Sequence, residues 1–523
     1  MTETEFDVVI VGGGHNGLTA AAYLALAGKT VLLLERDDHL GGAAVSADAF
    51  PGQDVRLSRY SYLVSLLPQR IRDELGLDLE LARRRYSSYT PDPTDPVQGL
   101  LVDHGDPAAT QASFGRVAPA DFAAWNAFYD GTGVLARALF PTVCEPLLTR
   151  TEARLLVADD ALWNAFIEHP LGTTIRDTFE SDLVRGVVAT DGLIGTFASL
   201  DGDDLHANRC FLYHVIGQET GDWDVPIGGM GAVSGALEQA ALASGARLET
   251  GATVTSITPD GAVAYLHDGQ RHTVTAEYVL SNVAPWVLDG LLGHDRAGTP
   301  KPEGAQVKVN LLLSRLPRLR DGSVPPAAAF GGTFHINETY TQLEGAFAAA
   351  LQGELGERLP CEIYCHSLTD PSILSPELRE AGVHTLTVFG LHTPDRWVDP
   401  HNGYAGNDAL RETLQAAVLA SLNSVLAEPI EDLLLTDASG RPCIETKTTR
   451  DLELALNLPG GNIFHGALSW PFLEDDAPRT TAAERWGVAT THPRILVCGA
   501  GARRGGGVSG IGGHNAAMAV LEG

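Results

Sequence analysis

Residues 6–17 read FDVVIVGGGHNG, and the next apolar run, residues 30–35, reads TVLLLE. Phe6 to Val11 is short, apolar and β-branched, the pattern of a strand buried on both faces of a parallel sheet. Gly12, Gly14 and Gly17 then complete G-x-G-x-x-G. In such a turn the first glycine permits the bend, the second lets backbone approach a pyrophosphate, and the third lets the next helix pack on the sheet. The alanine-rich stretch from Leu18 to Ala27 predicts that helix, stopped by Gly28, with its N-terminal N–H groups aimed at phosphate. Glu35 ends the second strand about 20 residues on, where a carboxylate accepts hydrogen bonds from a ribose 2′-hydroxyl. An acid there repels a 2′-phosphate, which favours NAD or FAD over NADP. A structural glycine turn is the plain alternative, and it does not account for the strand, the helix and the spaced acid together.

The sequence continues ERDDHLGGAA, with Gly41, Gly42 and Ala43 a short loop beyond Glu35. Paired glycines leave room for a second close backbone approach to a long ligand, although an ordinary turn has the same composition. Here the chain resembles the phytoene desaturase-like flavoproteins, a large family related to the amine oxidases, in which E-x5-GG continues an FAD site. The resemblance implies FAD as cofactor. It reappears at VPIGGMGAVSGALEQ (225–239), at the strand containing Val254, where that family places backbone on the adenine, and at TAEYVLSNVAP (275–285). It is carried again by the glycine-rich RILVCGAGARRGGGVSGIGGHN (494–515). There the family closes its flavin site, which makes Gly501, Gly507, Gly510 and Ile511 cofactor-binding candidates. A helix start at that point would stabilise the anion of a reduced ring. The closest branch contains the carotene ketolases and pyridine nucleotide-disulfide oxidoreductase domain-containing proteins. No cysteine pair lies near residues 35–60, so a dithiol relay at the flavin is excluded.

The order of these blocks predicts an α/β protein of two domains, each discontinuous. Segments 1–66, 225–300 and 486–523 form a Rossmann-type FAD-binding domain. Segments 67–224 and 301–485 form an α+β substrate domain on a mainly antiparallel sheet, with strands at QVKVNLLL and HTLTVFGLH and a helix near 408–426.

Other residues keep two readings. RLSRYSY (56–62) alternates like a strand leaving the nucleotide domain. The resemblance puts Arg59 and Tyr60 beside the ring; the alternatives are a surface or phosphate-neutralising charge and a core aromatic. Phe122, Trp125, Phe128 and Tyr129 fall at helical spacing behind a potential cap, Asp121, and form either core or the wall of an apolar tunnel. GNIFHGALSW (461–470) reads as a strand, with His465 either a satisfied core histidine or, by likeness to the ketolases, a catalytic candidate near substrate. His206 and His214 have no metal-ligand spacing around them and read as structural.

The formal net charge of −30 argues against a nucleic-acid partner and against broad attachment to anionic lipid. A local patch still leaves room for transient membrane contact during substrate delivery, and a homo-oligomer is compatible with the sequence. MTETEFDVV has no basic n-region, and no apolar run reaches about 18 residues, so neither a signal peptide nor a membrane span is expected. The six scattered cysteines fit a reduced, cytoplasmic protein with no metal site. The expected activity is hydride transfer from a largely apolar small molecule to flavin. The alternatives are a ketolase-type oxygenation or a flavin-containing scaffold with little turnover.

Overall fold

The structure is a computed structural model that describes residues 4–399 and 406–523. Its first strand, β1 (Thr4–Val11), feeds directly into α1 (His15–Leu26), which returns to β2 (Val31–Leu34). β1 sits at the centre of a seven-stranded sheet, parallel to β2 on one side and to the strand Gln270–Ser281 on the other. Val8, Val9, Ile10 and all four residues of β2 are buried, as continuous apolar runs in a parallel sheet should be. The sheet then extends through Arg247–Glu249 beyond β2 and through Ile495–Val497 beside Gln270–Ser281, both parallel. Thr253–Ile257 and Ala262–His267 add an antiparallel flank.

Two glycines allow the helices to close on this sheet. A Cβ on Gly17 would overlap the carbonyl oxygen of Gly12, and one on Gly513 would overlap that of Asn16. The second contact lets the last helix, Ile511–Glu522, cross directly over the start of α1.

A second seven-stranded sheet runs in the order Ile444–Lys447, Gln306–Leu313, His384–Leu391, Cys361–Tyr364, Thr333–Ile336, Tyr86–Pro91, Gly99–Asp103. It is antiparallel except where Thr333–Ile336 meets Tyr86–Pro91. The helix Asn407–Val425 presents Leu410, Leu414, Val418 and Leu422 to the core of this sheet. Residues 122–216 supply a group of helices.

Three local expectations fail. Residues 461–470 form no strand: Pro459–Gly461 is a short 3-10 turn, and Asn462 Oδ1 then accepts from the N–H groups of Phe464 (3.0 Å) and Gly466 (3.1 Å). A side chain that binds its own following backbone competes with a sheet ladder. In RLSRYSY only Arg56–Ser58 is strand, paired with Ser46–Asp48. Asp121 does not cap its helix; its two oxygens accept from Glu180 N and Ser181 N, each at 2.8 Å. All six cysteines are free and buried, and burial pushes the Cys144 and Cys210 thiols up to about 12. Among the described residues no helix is long and apolar enough to cross a membrane.

Candidate functional site

A long crevice follows the C-terminal ends of the parallel strands, where open α/β sheets hold their ligands. Glu35, Arg36, Asp37 and Ala252–Val254 line one end. Gly12, Gly14, His15 and Asn16 line its middle at the N-terminus of α1. Tyr60–Leu63, Lys308, Phe389 and Gly506–Val508 line the remainder. The Glu35 carboxylate accepts from Gly13 N (2.6 Å) and Asp37 N (2.9 Å), so it pins the glycine turn itself. A carboxylate has about four lone-pair sites, which leaves capacity for ribose hydroxyls.

The crevice fits a dinucleotide. The first-turn N–H groups of α1 have no intrahelical partners and face an open space. Among the described residues, the buried Asn16 Oδ1 and His465 Nδ1 find no hydrogen-bond partner, and both residues line the crevice. Such orphaned atoms are expensive unless a ligand meets them. His15 Nε2 pairs with Gly507 O at 3.1 Å and ties the first glycine loop to the last. Arg504, 2% exposed, holds the last loop by donating to the carbonyls of Thr142 and Glu145, both at 2.8 Å.

The sequence-predicted residues divide accordingly. Gly12, Gly14, Glu35, Gly42, Ala43, Tyr60, Val254, His465 and Gly507 line the crevice. Gly17 lies behind it, under the Gly12 carbonyl. Gly41 is also set back, its N–H donating to Gly13 O at 2.9 Å and its α-carbon packed near Ser234. Gly501 packs on Pro285, and Gly510 and Ile511 cap and begin the last helix; the wall at this end is made by Gly506–Val508 instead. Arg59 turns away into an ion pair with Glu445 at 2.5 Å. His465 faces the crevice and not the neighbouring chamber, with burial depressing its pKa to about 4.

That chamber, about 450 Å³, adjoins the crevice, and Tyr62, Leu63, Ile194, His214 and Trp223 line both. Phe122, Trp125 and Tyr129 line it, while Phe128 is core against Phe166, Phe179 and Phe211. The expected dry tunnel is not what the helix faces. Arg84, Asp191, His335 and Glu362 share the lining, from elements the helix's own periodicity says nothing about. Burial raises Asp191 to about 6 and Glu362 to about 8. His335 Nδ1 lies 2.6 Å from Glu338 Oε2, and ligand-type atoms of His335, Glu338 and Glu362 fall within 4.8 Å of one another. His214 is structural as expected, with Nδ1 paired to Cys210 O at 2.9 Å, yet its ring stacks on Trp223 at the junction of the two cavities. His206 sits apart in a surface pair with Asp204.

Trp125 is 7% exposed and packs on Phe114 and Tyr129 as well as facing the chamber. Trp125→Ala is expected to lower unfolding free energy by about 3–5 kcal/mol, read by denaturant titration. An unchanged midpoint would mark the ring as wall alone.

Lys308 was not anticipated. It is 2% exposed in the strand Gln306–Leu313 and lines the crevice, with Nζ donating to Ser58 O at 2.9 Å. Burial, helped by Lys447 and opposed by Glu445, lowers its pKa to about 7. One lysine inside a run otherwise of apolar residues and amides was the available signal.

Comparison with known proteins agrees with this geometry. The description "NAD(P)-binding Rossmann-like domain" matches residues 10–70. A protein of Mycobacterium tuberculosis described as uncharacterized is 56% identical over 99% of this chain and 97% of its own. Pyridine nucleotide-disulfide oxidoreductase domain-containing protein 2 of Rattus norvegicus is 30% identical over 99% of this chain and 94% of its own. The chain belongs to that protein's family. As a member of that oxidoreductase family it carries the two-domain fold of FAD-dependent oxidoreductases. Putrescine oxidase with putrescine bound superposes with a TM-score of 0.56 at 17% identity, over 99% of this chain and 98% of that one. Cyclohexylamine oxidase from Brevibacterium oxydans gives 0.55 at 15%, over 99% and 98%. These two establish the architecture.

Proposed function

We propose that the protein is an FAD-dependent oxidoreductase, a dehydrogenase or oxidase acting on a small molecule held in the chamber. The observation that carries this reading is that the two cavities lie side by side, with Tyr62, Ile194 and Trp223 lining both. Glu35 would hold the ribose, the α1 N-terminus the pyrophosphate, and Gly506–Val508 with Tyr60 and Lys308 the far end of the cofactor. Bound there, FAD supplies the hydride acceptor. The chain's own residues bind, orient and exclude water. Lys308 Nζ, neutral above pH of about 7, is placed to accept or relay a proton at the crevice wall. The five-segment division into two domains and a cytoplasmic setting without nucleic acid belong to the same proposal. Transient membrane contact and self-association remain compatible with it. A phytoene desaturase-like placement stays part of it, while the charged lining of the chamber weighs against a pure hydrocarbon substrate.

The purified protein should be yellow and release FAD on acid denaturation. NADH and NADPH should leave the flavin oxidised under anaerobic conditions. The reason is that the strands of residues 247–281 complete the sheet begun by β1 and build no second nucleotide fold. Rapid bleaching by either nucleotide would refute this and favour the ketolase-type reading, in which the product gains the mass of oxygen.

A further inference from the structure

Two charged groups on the chamber wall, Arg84 and Asp191, make no ion pair among the described residues. The half-buried Asp191 carboxylate accepts no hydrogen bond and joins no ion pair among the described residues, while the fully buried carboxylate of the wall, Glu362, accepts from Tyr364 Oη at 2.6 Å. The Arg84 guanidinium donates only to neutral oxygens, with Nε 3.2 Å from Trp223 O and Nη1 3.3 Å from Thr333 Oγ1, and its central carbon lies 5.8 Å from the Tyr364 ring centre. Arg84 and Asp191 influence each other electrostatically yet do not approach within 4.0 Å. Arg84 is tethered by those contacts, and Asp191 sits in the short turn Thr190–Gly192.

Both side chains are half-buried, and a charge taken partly out of water favours a ligand that compensates it. Arg84 and Asp191 place one unpaired charge of each sign on this cavity, where Asp103 and Asp222 are already held by Arg85 and Arg83 and Asp130 is exposed. A ligand that compensates both without adding net charge must itself carry both signs. Tyr62, Trp125, Tyr129 and Trp223 give one part of the wall aromatic faces, beside hydroxyl and amide residues such as Ser88, Thr110, Asn126, Thr190 and Thr333. A volume of about 450 Å³ suits a small molecule with one bulky group. We infer that the chamber binds a zwitterion of the amino-acid type, its ammonium against Asp191, its carboxylate against Arg84, and a large apolar side chain on the aromatic wall. The inference rests on the chamber being the substrate site of the proposed oxidoreductase, and names the substrate class of that site.

Isothermal calorimetry on the purified flavin-containing protein tests it with four matched probes. These are L-phenylalanine, phenethylamine without the carboxylate, 3-phenylpropionate without the ammonium, and neutral propylbenzene. L-Phenylalanine is expected to bind about tenfold or more tighter than any of the other three. Asp191→Asn should abolish its advantage over 3-phenylpropionate, and Arg84→Gln its advantage over phenethylamine. Propylbenzene or a singly charged probe binding as tightly as L-phenylalanine overturns the inference, and so does Zn²⁺ binding at His335, Glu338 and Glu362 that excludes it. Absence of binding by L-phenylalanine, L-leucine and L-tryptophan alike also overturns it. The wild-type series decides the matter even if a variant does not fold. Flavin absorbance of the same samples separates the two readings: colourless protein refutes the cofactor assignment, whereas yellow protein without zwitterion preference refutes the substrate class alone.

Discussion

Glu35→Arg is expected to yield protein that purifies colourless. The substitution removes the acceptor for the N–H groups of Gly13 and Asp37, loosening the glycine turn at its tightest point. It also places a guanidinium where ribose hydroxyls need an acceptor. Loss of one buried charge-assisted hydrogen bond costs about 1.5–3 kcal/mol, and at least two are involved, so FAD affinity should fall by two orders of magnitude or more. Flavin-to-protein absorbance after desalting measures it. Full occupancy in the variant would remove Glu35 from the site.

Lys308→Met should have the opposite profile, with FAD retained and reduction by substrate slowed by about 10²-fold or more, the usual range for a positioned proton-transfer group. The wild-type rate should climb as pH rises through about 7, where Nζ becomes neutral, and the variant should lack that limb. Stability carries the same signature. The folded pKa lies below the ordinary lysine value of 10.5, so the unfolded chain binds more protons between about 7 and 10.5. Stability contributed by this group therefore rises with pH across that window, and the slope should vanish in the methionine variant. Stopped-flow reduction and melting curves from pH 6 to 10 read both, where an unaltered pH–rate profile would make Lys308 a structural lysine.

What the sequence disclosed is what is encoded locally. The strand, turn and helix from Phe6 to Leu26, with Glu35 at its fixed spacing, need only backbone sterics and hydrophobic period to be recognised. Long-range partnership is where reading failed. The resemblance put Arg59 beside the ring, with a surface or phosphate-neutralising charge as the alternative; its partner, Glu445, is 386 residues away. The stripe at Phe122–Tyr129 was legible as a helix face, but the charges opposite come from residues 84, 191, 335 and 362. His465 was placed by assuming a strand through a segment that Asn462 folds into a turn. Lys308 was passed over because composition cannot tell a snorkelling lysine from one sealed under Phe389.

The central sheet draws its strands from residues 4–34, 247–281 and 495–497, and the crevice is closed by residues 506–508. During synthesis β1 emerges first, yet its long parallel neighbour follows some 260 residues later, and the last wall of the cofactor site later still. At about 5–20 residues per second, the ribosome needs roughly half a minute to a minute and a half between them. β2 covers one edge of β1 early, but the other edge stays open to other chains until residues 270–281 emerge. Cofactor capture is therefore a late event that waits for residues 506–508, and supply of the cofactor at that moment becomes a determinant of how much protein escapes aggregation.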